Sequence, residues 1–156
     1  MMPEPDSTRN EAPGARRAVM ALCALASPAE LRAALVAAEA PTDAEDLRPP
    51  ETGLVMARGR IGGDGRRFNL GEVTVTRAAV RLEEGETGFA YHLGRDREKA
   101  RLAAILDAVW QQPDRRHAVE RALAPVAARE AAARQAQERR TAATRVDFFT
   151  LARGED

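Results

Sequence analysis

The spacing of the apolar residues changes twice along this chain, and this change limits the possible folds more than any other feature. At positions 19–26 the apolar residues recur at helical spacing. Between Leu54 and Leu93 the period falls to two, which is typical of strands. At positions 102–109 the helical period returns. The order helix, strands, helix predicts an α+β fold.

Local signals place the ends of the predicted helices. Ser27 and Glu30 have the spacing of a capping box around Pro28, so a second helix begins directly after the first. That helix must end before Pro41, because proline disfavours helical backbone in the residue before it. Asp96 is placed to cap the helix that follows the strands.

Glycine-containing turns divide the strand region into a predicted antiparallel meander of three or four strands. The apolar positions switch from even to odd near Gly71 and back to even after Arg77. We therefore expect a bulge or bend near Gly71 and another near Arg77. The predicted fold class is α+β, a small antiparallel β-meander packed with N-terminal and C-terminal helices, followed by an extended Ala/Arg-rich helical arm.

Three parts of the chain differ in composition. Residues 1–14 are polar, contain proline and lack apolar periodicity, so we expect a disordered extension. Residues 15–126 form the predicted α+β core domain. Residues 127–156 comprise a helical arm without large apolar side chains and then a docking tail that ends in "RVDFFTLARGED".

The stretch "GRIGGDGRRFNLGE" at positions 59–72 has the composition of a phosphate-binding loop. A phosphate loop usually delivers its glycines to a helix N-terminus, whereas this one leads into Phe68 and Leu70 at strand spacing. The Lys-Ser/Thr ending of the Walker motif is also missing. We interpret "GGDG" as a hairpin connection, with its arginines flanking an anion at most.

No catalytic or metal motif appears in the sequence. His92 and His117 lack neighbouring cysteines or carboxylates at ligand spacing, and we read them as surface or strand histidines. Cys23 is the only cysteine and lies among apolar helix residues, so we expect a buried thiol without a redox role. We expect no metal and no cofactor in this chain.

Charge and hydropathy exclude further classes. Lysine plus arginine number 24 against 24 aspartate plus glutamate, so no net charge attracts nucleic acid or an anionic membrane. The apolar run at 19–26 is too short to span a bilayer. An RNA-binding arm at 129–145 is a weaker alternative, because no aromatic residues are interleaved there. The expected location is the cytoplasm.

Several segments together resemble a known family. They are "ETGLV" at 51–55, "TRAAVRL" at 76–82, "GRD" at 94–96 and "RVDFFT" at 145–150. In this order, over about residues 16–156, they resemble the phosphonate metabolism protein PhnG family, the G subunits of the carbon-phosphorus lyase core complex. The extra polar N-terminal segment is the main departure.

The resemblance implies a partner-dependent function. Members work with the H, I and J subunits in a transferase in which an alkylphosphonate displaces adenine from ATP, giving alpha-D-ribose 1-methylphosphonate 5-triphosphate. ATP is then a substrate of the complex. The resemblance implies an accessory subunit of this cytoplasmic complex that is not catalytic alone. The alternative is a purely structural scaffold with no substrate contact.

Two groups of residues are candidates for these roles. Arginine's planar fork suits phosphonate or triphosphate, so the candidate substrate-flanking residues are Arg77, Arg81 and Arg95. The alternative for each is a surface ion pair or a solvated strand face. The candidate partner-docking residues are Arg145, Asp147, Phe148 and Phe149. They follow a helix without an apolar face, and the alternative is that the tail folds over the chain's own sheet.

Overall fold

The computed structural model describes residues 8–41, 43–62 and 64–143. In chain order the elements are α1 (Thr8–Leu25), α2 (Pro28–Ala37), β1 (Ala44–Arg60), β2 (Arg67–Leu82), β3 (Thr87–Leu93), α3 (Arg97–Gln111), α4 (Arg116–Ala122) and α5 (Ala124–Ala143). The α+β class and the antiparallel meander are confirmed: the three strands pair in the order β1-β2-β3.

The helix ends agree closely with the local signals, with one difference. Ser27 and Glu30 form the capping box, and Asp96 accepts a hydrogen bond from the backbone N–H of Lys99 at the start of α3. α1 begins at Thr8, inside the segment expected to lie outside the fold. Extending an existing helix costs less than starting one, so no apolar pattern is needed there.

The core lies between the helices and one side of the sheet. α3 crosses that side with buried alanines and with Ile105, Leu106 and Val109, and Trp110 is buried near its end. On the sheet, Ala78, Val80 and Ala90 belong to the same cluster. Small side chains allow a close approach, because a Cβ added at Gly88 would lie 1.9 Å from the carbonyl oxygen of Ala104.

The sheet departs from the expected boundaries at β1. This strand begins at Ala44, ten residues before Leu54, and includes Pro49 and Pro50. β1 is an edge strand, where proline is tolerated, and its register against β2 shifts between Arg48 and Glu51.

Both expected irregularities are found in the pairing of β1 with β2. The register shifts between Ala57 and Arg58, opposite Gly71 and Asn69, so Leu70 is the extra residue. Near Arg77 the irregularity lies in β1, whose register against β2 shifts between Arg48 and Glu51, opposite Ala79 and Arg77. The pairing of β2 with β3 runs without interruption from Val75 to Arg81. The apolar positions change parity there because β2 has apolar residues on both of its faces.

The C-terminal helix extends past the core. Val126 is its buried residue, whereas nearly all described positions from 131 to 143 are exposed. Its first turns are held to the body by Arg129, which donates hydrogen bonds to Glu30 and to the carbonyl of Leu25. The prediction of an exposed arm is confirmed up to residue 143.

Candidate functional site

The side of the sheet turned away from the helices carries large apolar side chains that the described residues leave in solvent. We call this side the open face. On β3, Phe89 is 56% exposed, Tyr91 55% and Leu93 77%. The face continues along β1 and β2 through the exposed Phe68 and Leu70 and the half-buried Val55 and Val73, whereas Val75 on this face is buried. A contiguous exposed apolar surface marks a site where another molecule binds.

Along β3 the small residues face the protein core and the large apolar residues face solvent, which is the reverse of the usual arrangement. Gly88 and Ala90, the small residues, face the helices, while Phe89 and Tyr91 face outward. The small residues let α3 approach the sheet, which leaves the bulky residues for the second face. The sequence analysis did not identify Phe89 and Tyr91 as candidate binding residues, although the sequence itself shows small and large residues alternating along β3.

A groove of about 610 Å³ includes part of the open face and is also lined by Met20 of α1. Leu47, Phe89 and Tyr91 are among its apolar lining residues, and Arg48 and Arg77 contribute charge. Both arginines contact Glu51 Oε1, at 3.4 Å from Arg48 Nη1 and 2.6 Å from Arg77 Nε. The groove therefore combines aromatic surface with two guanidinium groups that share one carboxylate.

The three predicted substrate-flanking arginines do not meet at one point. Arg77 pairs with Tyr91, and Arg81 lies four residues further along β2 on the same face, which is about 13 Å. Arg81 Nη1 is 3.9 Å from Glu45. Arg95 follows the opposite end of β3, is exposed, and has no ion pair within the described part of the chain. They thus lie along the sheet at three separate positions.

The predicted docking residues of the tail lie outside the described residues. Arg145, Asp147, Phe148 and Phe149 all follow Ala143, where α5 ends. Their docking role stays a prediction.

A buried carboxylate fixes the β3 edge of the open face. Asp107 on α3 is buried and receives hydrogen bonds from Arg16 Nε at 2.8 Å and Nη2 at 2.6 Å. The backbone N–H of Phe89 donates a third hydrogen bond to Asp107 Oδ2, at 2.8 Å. The hydrogen bond from Arg16 to this carboxylate raises the pKa of the guanidinium. One carboxylate therefore joins α1, α3 and β3, and it occupies a backbone donor that would otherwise be free for strand pairing.

His92 faces the helices and is buried beside Thr76 on β2. Thr76 donates a hydrogen bond to the carbonyl of Gly94, but neither ring nitrogen of His92 has a partner among the described residues. Burial lowers the pKa of His92, and the nearby Lys99 lowers it further. The arrangement favours a neutral imidazole. The reading of His92 as a strand histidine is confirmed.

In the part of the chain that the structure describes, the other reactive groups are a buried thiol and side chains that are not grouped around a metal site. Cys23 is buried, and burial raises the pKa of its thiol to about 12. Within residues 8–41, 43–62 and 64–143, no three His, Cys, Asp or Glu side chains are grouped to hold a metal ion. Across those same residues, no helix has both the length and the apolar character needed to cross a membrane.

Comparison with known proteins identifies a family. A family model for the phosphonate metabolism protein PhnG matches residues 14–154. A protein of Rhizobium meliloti (strain 1021), alpha-D-ribose 1-methylphosphonate 5-triphosphate synthase subunit PhnG, is 52% identical over 141 residues. The match covers 90% of this chain and 90% of that protein.

Proposed function

This chain belongs to the PhnG family of phosphonate metabolism proteins, and from that premise we propose that it is an accessory subunit of alpha-D-ribose 1-methylphosphonate 5-triphosphate synthase. In this reaction an alkylphosphonate displaces adenine from ATP. The synthase belongs to the carbon-phosphorus lyase core complex, which acts in organic phosphonate catabolism. The chain contributes to a transferase without being catalytic alone.

The open face is the observation that best supports a subunit role. Phe89, Tyr91 and Leu93 form a row along one strand, and each is more than half exposed. A protein that functions as a monomer rarely leaves such a row in water, because aromatic burial contributes strongly to binding. We propose that a partner subunit covers the open face.

The proposed partners are the H, I and J subunits, and the proposed location is the cytoplasm. ATP enters as a substrate of the complex, and we propose no cofactor for this chain. The tail residues Arg145, Asp147, Phe148 and Phe149 are proposed to dock on the I subunit.

We also propose that Arg77, Arg81 and Arg95 flank the substrates at a subunit interface. The position of Arg77 supports this best, because it lines the apolar groove and only its Nε is engaged by Glu51. Its two Nη groups have no hydrogen-bond partner among the described residues, which leaves them available for a bidentate contact to a phosphonate.

A purely structural scaffold is the second candidate function. It is favoured by the ion pairs of Arg77 with Glu51 and of Arg81 with Glu45, which give both arginines a role in joining β1 to β2. The two functions differ in one measurable respect. Arg77→Gln raises the KM for a substrate if the side chain flanks it, and leaves the KM unchanged in a scaffold.

The subunit proposal is tested by disrupting the open face. A Phe89→Ser/Tyr91→Ser/Leu93→Ser variant should remain folded by circular dichroism but fail to copurify with the H, I and J subunits. A matched control is Leu25→Ser/Val36→Ser, two exposed apolar residues on the helical side. The control should assemble and release adenine from ATP plus methylphosphonate at the wild-type rate. Normal assembly of the triple variant would contradict the proposed interface.

A further inference from the structure

The hairpin of β1 and β2 extends beyond the rest of the sheet. β3 stops pairing with β2 at Val75, whereas β1 and β2 continue to pair from Leu54 and Thr74 to Arg60 and Arg67. Seven residues of β1 therefore form a two-stranded ribbon about 23 Å long. We call this segment, residues 54–60 with 67–74, the ribbon.

The two faces of the ribbon differ in chemistry. One face is apolar and continues the open face, with Phe68 opposite Gly59 and Leu70 packed over Gly59. The other face carries the exposed Leu54 and Met56, with Glu72 opposite Met56, and then three arginines near the tip: Arg58, Arg60 and Arg67. Arg58 Nε donates a hydrogen bond to Asn69 Oδ1 at 3.2 Å, which places both on this face.

The arginines of the ribbon lack counter-charges. Among the described residues, no carboxylate lies within 4.0 Å of Arg58, Arg60 or Arg67. Seven arginines of the body contact carboxylates, whereas others among the described residues, such as Arg95 and Arg97, have no ion pair either. Those paired arginines are Arg16, Arg32, Arg48, Arg77, Arg81, Arg101 and Arg129.

The pairing of β1 with β2 places two of these positive charges opposite each other, which lowers the stability of the free chain. Arg60 and Arg67 are direct cross-strand partners, and like charges in that arrangement destabilise a strand pair. An anion bound between the two guanidinium groups would remove the repulsion. The planar forks of arginine match the oxygens of phosphate and phosphonate groups in a bidentate manner.

We propose that Arg58, Arg60 and Arg67 form a binding site for a phosphorus oxyanion. This inference rests on the proposed function, which supplies two such ligands, the triphosphate of ATP and the phosphonate. The apolar face of the ribbon packs on the partner subunit, and the arginine face presents its guanidinium groups to the anion. Nucleic acid is a poorer fit, because Phe68 lies on the apolar face and leaves no stacking residue beside the arginines.

The site is tested first on the purified full-length chain, with sodium tripolyphosphate as the probe in a calorimetric titration. The Arg58→Gln/Arg60→Gln/Arg67→Gln variant should bind the probe at least tenfold more weakly than the wild type. The matched control is Arg97→Gln/Arg121→Gln/Arg139→Gln, three exposed helical arginines, and it should bind like the wild type. Equal binding by both variants, or no binding by the wild type, overturns the proposal.

The assembled synthase then identifies the source of the anion. If the ribbon variant raises the KM for ATP at least tenfold, the bound anion is the triphosphate of ATP. If it raises the KM for methylphosphonate by that factor, the bound anion is the phosphonate. An assembled complex with both KM values unchanged overturns the site. A ribbon variant that no longer copurifies with its partners also overturns it, because the arginines then face protein carboxylates.

Failure of the inference and failure of the proposed function are distinguishable. If the wild-type complex releases no adenine, the proposed function is wrong, while the tripolyphosphate titration still decides the site. If adenine is released normally by both variants, the function stands without the site.

Discussion

At the scale of single residues, Asp107 has more structural consequence than any of the predicted site residues. Its carboxylate is buried, and its hydrogen bonds go to the Arg16 side chain and the Phe89 backbone. A buried charge that loses its partner is strongly destabilising, because the desolvation cost remains. The open face therefore depends on a residue that lies behind it.

We predict that Arg16→Met lowers the free energy of unfolding by about 2 kcal/mol. Breaking a fully buried pair costs roughly 3–5 kcal/mol, and the partial exposure of Arg16 reduces the cost. Arg32→Met is the control, since Arg32 and Glu98 are both exposed, and it should change stability by less than about 0.5 kcal/mol. Urea denaturation of both variants measures this, and equal effects would contradict the role of Asp107.

His92 makes stability depend on pH in a defined direction. Its pKa in the folded chain is lowered from the ordinary value of 6.5, so below that pH the unfolded chain binds a proton that the folded chain does not. We predict that the neutral His92 makes its full contribution to the free energy of unfolding above pH 6.5, and that this contribution is lost as the pH falls below 6.5. His92→Asn should flatten the dependence, whereas His117→Asn on the exposed surface should keep it. Thermal melts from pH 5 to pH 8 test this, and an unchanged slope in His92→Asn would refute it.

At the scale of elements, the contact of α3 with β3 decides which face of the sheet is covered. Gly88 provides no side chain, and the carbonyl of Ala104 lies where its Cβ would be. The helix therefore approaches the strand closely over small residues, and the large residues of β3 are left on the opposite face.

We predict that Gly88→Ala destabilises the fold by about 3 kcal/mol, because the added methyl group forces α3 away from β3. Gly53→Ala is a suitable control, since no heavy atom lies within 4 Å of its added Cβ and its φ is not positive. Its effect should stay within about 0.5 kcal/mol. Denaturation midpoints of the two variants provide the measurement, and a fully stable Gly88→Ala protein would show that the helix can shift without cost.

At the scale of the whole molecule, the chain has more interaction surface than one compact domain needs. The open face, the ribbon and the exposed part of α5 all extend from one small core. The open face exposes apolar surface to water, the ribbon holds like charges opposite each other, and α5 contributes little to the core. These features are consistent with a subunit of a larger assembly.

We predict that deletion of residues 146–156 leaves the fold intact but prevents copurification with the I subunit and adenine release. Phe148 and Phe149 follow an arm without an apolar face, and an aromatic hot spot is worth about 2 kcal/mol or more on truncation. Phe148→Ala/Phe149→Ala should reproduce the deletion. Pull-down with adenine release from ATP plus methylphosphonate measures both effects, and retained assembly with normal release would exclude the docking role.

The sequence by itself determined the order of the elements, the caps at Ser27 and Asp96, the exposed C-terminal arm and the family. These depend on spacing and on neighbours within a few residues, which a single chain displays directly. The joint occurrence of the four quoted segments was specific enough to identify the family.

Only the tertiary structure decided which of two apolar strand faces meets the helices. Val73 and Val80 look alike in sequence, yet Val80 is buried in the core and Val73 lies on the open face. Neither the pairing of Asp107 with Arg16 nor the absence of ion pairs at the arginines of the ribbon could be predicted from the sequence. Burial and ion pairing depend on contacts between residues far apart in the chain, and local periodicity carries no information about which elements come together.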